Sequence, residues 1–253
     1  MTHSPTYWMR LGLSAALLSL AACGEAGGAR APSVANSGSF PLADAADTSE
    51  TPLDAALLMP EEERAVLIAS QVAAGAALAR AGEADDAAEH LRLAISEVKP
   101  GGLTRLVESG LEPDLFDAAA EALTSDAALD EIDAKLVAVE ENVSFLRANA
   151  SGKASDLIAL LIKRCQKAYE AGVSLNNRVE DPIAYQDAYG YAFVAQDLAA
   201  GLASENASGL QLELKLLVLM WPANGPVSGD VPAPPMTFLS QISRVETELS
   251  TIQ

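Results

Sequence analysis

Apolar residues return every third or fourth position along most of the chain beyond Pro60, the spacing that turns one face of an α-helix toward a core. Pro60 followed by Glu61, Glu62 and Glu63 predicts a helix start. Proline suits the first helical turn, and acids suit the positive end of the helix dipole. The helix is expected to reach Ala81 and stop at Gly82. A second is expected from near Ala84 to before Pro100, and a short one between Gly101 and Gly110. Pro113 opens another, which holds Leu115, Phe116, Ala119 and Leu123. Leu129, Ile132, Leu136, Val139, Val143 and Leu146 alternate three- and four-residue steps, a narrow coiled-coil-like seam that needs a partner helix.

Ser151-Gly152 ends that stretch, and Ser155 is the expected cap of the next helix. Its apolar stripe holds Ile158, Leu161, Ile162, Cys165, Ala168 and Tyr169, which puts Cys165 in the core as a small, inert residue. Asp181-Pro182 reads as an N-cap followed by proline at the first helical position. Tyr185, Tyr189 and Phe193 follow at four-residue steps, and are expected to pack inside. Residues 208–221 alternate leucine with polar residues. With no second convincing strand to pair with, they are expected to be helical. A Pro/Gly linker, 222–235, leads to an amphipathic helix, 236–253, with Phe238, Ile242, Val245 and Leu249 on one face. The fold class that follows is all-α: an antiparallel bundle of about six to eight helices. The main helical domain is placed at 60–221.

The first 59 residues follow other rules. Residues 24–59 are mostly Gly, Ala, Ser, Pro, Asp and Thr, and bury too little to offset their ordering entropy. They are expected to form a disordered tether with a reach of roughly 30–35 Å. Before them, Arg10 precedes an uncharged run from Leu11 to Ala22, too short to span a bilayer and suited to a signal peptide. The run ends in Leu20-Ala21-Ala22-Cys23-Gly24. This resembles the lipobox of bacterial lipoproteins. The resemblance implies cleavage after residue 22, lipidation of Cys23 and a lipid-held tether over 23–59. A single acyl chain holds a membrane only reversibly, so the expected anchor is the multiple acylation of such lipoproteins. Gly24 in place of aspartate implies sorting to the outer membrane, facing the periplasm.

The formal charge is −19, and loss of Arg10 with the signal makes it one unit more negative. Such acidity argues against nucleic acid as a partner and leaves basic proteins or cations. With Cys23 lipidated, Cys165 has no disulfide partner, and the mature chain keeps one histidine, His90. The sequence carries no phosphate-binding glycine loop, no Gly-x-Ser-x-Gly elbow and no His-Glu-x-x-His, so no catalytic residues are assigned and no enzyme is expected. A metal cation is the candidate cofactor, with His90 and Glu97 as candidate ligands. Two turns apart on one helix, about 10 Å between Cα atoms, they would need help from Glu89, Glu140 or Glu141. A solvent-exposed helix with unrelated charges fits the same residues.

Two further resemblances are partial. Gly75, Leu78, Gly82, Ala87, Leu91, Ala94 and Pro100 fall near the positions of one tetratricopeptide hairpin, although such solenoids need about three units. Leu161 to Val173, Asn177-Arg178-Val179 and Tyr185-Gln186-Asp187-Ala188-Tyr189-Gly190-Tyr191 are similar to a helix pair in the extracytoplasmic part of bacterial high-affinity iron permeases. Ala184 departs from the acid usual before the first tyrosine. The expected function is a non-catalytic, lipid-anchored envelope protein with a binding or accessory role, its partner another envelope protein. The alternative is an accessory of periplasmic, iron-type metal uptake.

Overall fold

The computed structural model describes residues 59–96, 100–202 and 207–252. Cys23, the signal, the tether and Glu97 lie outside the described residues. Nine helices form among those described, and no strand. In chain order they are α1 (Glu61–Ala81), α2 (Ala84–Ser96), α3 (Pro100–Glu108), α4 (Pro113–Leu123), α5 (Leu129–Asn149), α6 (Ala154–Gly172), α7 (Pro182–Ala200), α8 (Ala207–Val218) and α9 (Pro235–Ser250). The number exceeds eight because the short segments at α3 and α8 both complete helices. None of the described helices is long and apolar enough to cross a membrane.

α1 is the centre. It is buried on every side from Arg64 to Leu78, and α2, α5 and α7 pack on it, with α3 and α6 making smaller contacts. Its alanines let neighbours approach closely. Gly75 faces the Ala87 carbonyl so tightly that a Cβ there would sit 3.1 Å from the oxygen. The α1–α2 turn closes on Gly82, which takes φ 89°, and Glu83 N–H donates to the Leu78 carbonyl at 2.9 Å. Left-handed backbone of this kind favours glycine.

α6 and α7 form an antiparallel pair. The turn between them pairs Val173 with Val179, and Gly172 lets the start of α7 come close, 2.6 Å from a hypothetical Cβ to the Tyr185 nitrogen. Asp181 caps α7 as expected, its Oδ1 accepting from the Ala184 N–H at 3.1 Å. Ser155 is not a cap: α6 begins at Ala154 after Lys153, and the Ser155 hydroxyl points to Asp156 instead. α4 and α5 cover the other side of α1 and α2. The α5 seam holds from Leu136 to Leu146, while Ile132 is half-buried and Leu129, in the first turn, is 84 % exposed. α8 lies on α7, and α9 on α8 and α6. Phe238, Ile242, Val245 and Leu249 of α9 all enter the common core.

Candidate functional site

Most of α1 is apolar, so Gln71 is out of place in it. Its side chain is buried beside that of His90, which is wholly buried in α2, and that of Gln186, equally buried in α7. Gln71 Nε2 donates to Asp187 Oδ1 at 2.9 Å, and Gln71 Oε1 lies 2.7 Å from His90 Nδ1. On the far side of the ring, His90 Nε2 lies 2.9 Å from Gln186 Oε1, and Gln186 Nε2 donates to Asp86 Oδ2 at 2.7 Å. A polar relay of five side chains therefore crosses the junction of α1, α2 and α7. Buried polar groups must be paired this way or they cost stability. Burial pushes the imidazole below its ordinary pKa, against the opposing pull of the Gln186 hydrogen bond and the Glu89 and Asp86 carboxylates.

His90 is therefore not on a solvent-exposed face. As placed, both its nitrogens are engaged, and a metal would have to displace a glutamine. Among the described residues no group of three or more His, Cys, Asp or Glu side chains is arranged to hold a metal ion. Of the carboxylates proposed to help, Glu140 is paired with Arg80 at 2.9 Å, and Glu141 lines a separate surface groove.

The aromatic residues divide. Tyr169, Tyr185, Trp221 and Phe238 form a buried cluster in which Tyr169 stacks on Phe238 with ring centroids 3.6 Å apart. The Tyr169 hydroxyl donates to the Ala233 carbonyl at 2.6 Å, fastening the 222–234 stretch over the cluster. The Tyr185 hydroxyl and Trp221 Nε1 are buried without a hydrogen-bond partner. Phe193 leaves the cluster: it is 44 % exposed, which overturns its expected place in the core. It stacks on half-buried Tyr189 along a groove of about 290 Å³. Ala73 and Ala77 of α1 line this groove, the Arg80–Glu140 pair stands beside it, and Ala223 to Gly225 complete it. A second groove, of about 420 Å³, runs beside Phe145, which is 57 % exposed, with Glu112 and Glu141 on its walls.

Cys165 is buried, and its Sγ donates to the Ala188 carbonyl at 3.2 Å. Burial pushes the thiol pKa up, away from the reactive thiolate. The relay partners Gln71, Asp86, Gln186 and Asp187 were not foreseen as a site. The available signal was one long polar side chain, Gln71, inside an otherwise largely apolar helical stretch. No protein-family model, curated protein or solved structure matches this chain.

Proposed function

We propose that the protein is a lipid-anchored, non-catalytic component of a bacterial cell envelope that binds another envelope protein. The carrying observation is the sequence Leu20-Ala21-Ala22-Cys23 at the end of the apolar run. The helical body supports a binding role. It offers two open grooves, each with an exposed phenylalanine, while its described thiol and imidazole, Cys165 and His90, are buried and already bonded. A nucleophile or general base must reach its substrate, and neither group does as it stands. Cys23→Ser is the direct test. The variant should accumulate as unprocessed precursor that takes up no labelled fatty acid, and normal maturation with lipid attached would refute the anchor. A photo-cross-linking residue at Glu141 or Arg80, beside the two grooves, should then capture an envelope protein, and Phe145→Ala or Phe193→Ala in the same chain should reduce the capture.

The second reading is an accessory of metal uptake, favoured by the likeness of residues 161–191 to the iron-permease helix pair. Calorimetry with ferrous and ferric iron tests it, and saturable binding at a fixed stoichiometry would promote it.

A further inference from the structure

His90 sits between two glutamines that are not free to turn. An ionised carboxylate accepts hydrogen bonds and cannot donate them. Asp187 therefore holds the NH₂ end of Gln71, and Asp86 holds the NH₂ end of Gln186. Both amide oxygens are forced toward the ring, one at each nitrogen. An imidazolium, with two N–H groups, satisfies both. A neutral imidazole has one N–H and leaves a lone pair against an amide oxygen.

The two arms differ. Asp187 Oδ1 also lies 3.6 Å from Nδ1, so its negative charge holds the single proton of the neutral ring on that side. The mismatch then falls on Nε2 and Gln186. Turning the Gln186 amide over would give Nε2 an N–H to accept, but would also point the amide oxygen at Asp86. Asp86 is half-buried in the first turn of α2, from which it can swing to water. We propose that Gln186 is the moving part of a proton-operated latch between α7 and α2. With the ring protonated at both nitrogens, Gln186 holds Asp86; with the proton on Nδ1 alone, Gln186 reverses and Asp86 is released. The ligand is a proton exchanged with solvent, and no other covalent bond changes.

The groups facing the ring fit such a switch. α7 contributes Asp187 and Gln186, α2 itself contributes Asp86 and Glu89, and α1 contributes the Gln71 amide with the close backbone at Gly75. α4 also packs on α2, and its acids Asp114, Asp117 and Glu121 are exposed. Burial favours the neutral ring, and the hydrogen bond with its neighbouring carboxylates favours the charged one, so the midpoint lies on the acid side of the ordinary imidazole value.

Nitrogen-15 spectra of the His90 ring and the Gln186 side chain test this, recorded on the full chain in detergent from about pH 8 to about pH 5. His90→Gln assigns the signals of His3. At the upper end Nδ1 should carry the proton and Nε2 be bare. Below the ordinary imidazole pKa of about 6.5, Nε2 should gain its proton, and the Gln186 amide signals should move with the same midpoint. Asp86→Asn supplies a side chain that can meet either end of Gln186. In that variant no carboxylate at position 86 opposes the reversal or favours the charged ring, so the ring and the Gln186 signals should move together to a lower midpoint. Two ring protons at the upper end, a proton on Nε2 alone, or a Gln186 amide that ignores the His90 titration would each overturn the latch.

Discussion

Gly190 of α7 lies directly against the Ser70 carbonyl of α1, leaving no volume for a side chain between the two backbones. A Cβ at Gly190 would overlap the oxygen and crowd Ala74 as well. Gly190→Ala must therefore push apart the helices that carry Gln71 and Gln186. Overpacking of a well-filled core costs typically about 1–3 kcal/mol, and helix propensity alone would favour alanine by about 1 kcal/mol. The two effects have opposite signs. Thermal unfolding should show a clear loss for Gly190→Ala and almost none for Gly229→Ala, whose Cβ meets nothing within 4 Å. A stabilised Gly190→Ala would mean that the helices are not this close.

The buried imidazole sets a pH dependence. Its folded pKa lies below the unfolded value of about 6.5 because burial disfavours the charge. The unfolded chain therefore takes the proton first, and His90 contributes stability above that value. The contribution falls as pH drops through it, and levels off once the folded pKa is passed. Urea midpoints at about pH 7.5 and about pH 5.5 should show a larger loss for the natural chain than for His90→Gln. The reverse order would mean that the folded ring holds its proton more tightly than the unfolded one.

Phe193 and Phe116 separate surface from core. Phe193 is 44 % exposed and stacks on Tyr189, so Phe193→Ala should cost no more than about 1.5 kcal/mol. Phe116 is wholly buried in α4, and Phe116→Ala should cost about 3–5 kcal/mol through lost burial and a cavity. Chemical denaturation of both variants provides the comparison. A large loss at Phe193 would restore the packing role that its spacing from Tyr185 suggests.

Cys165 should resist alkylation while the protein is folded. Its thiol is buried, hydrogen-bonded to the Ala188 carbonyl and held in the protonated form. Mass spectrometry of the Cys165 peptide should find little iodoacetamide adduct in buffer and full modification in urea. Rapid labelling in buffer would place the thiol at the surface.

The sequence pattern was most readable where a helix buries one face. The α9 stripe from Phe238 to Leu249 and the Asp181 cap both stand where spacing placed them. α1 was harder to interpret, because a helix buried on all sides loses the contrast between faces that periodicity detects. The aromatic stripe misled for a geometric reason. At 3.6 residues per turn, each four-residue step advances about 40° around the helix. From Tyr185 through Tyr189 to Phe193 the side chains rotate out of the core, from wholly buried through half-buried to 44 % exposed. The relay was invisible locally because the residues meeting His90 stand 19 and 96 positions away in the chain.

The all-round burial of α1 also sets an order of events during biogenesis. The helix precedes in the chain nearly everything that covers it, and α7, one of its main walls, starts at Pro182. Until that wall arrives, an alanine-rich segment with apolar residues on every side has nowhere to bury them. Contacts between residues this distant in sequence form late and slow the search for the native state. As the chain emerges during synthesis, this segment is bare before α7 exists to cover it. It would then need a holding chaperone, or rapid delivery of α7, to escape aggregation.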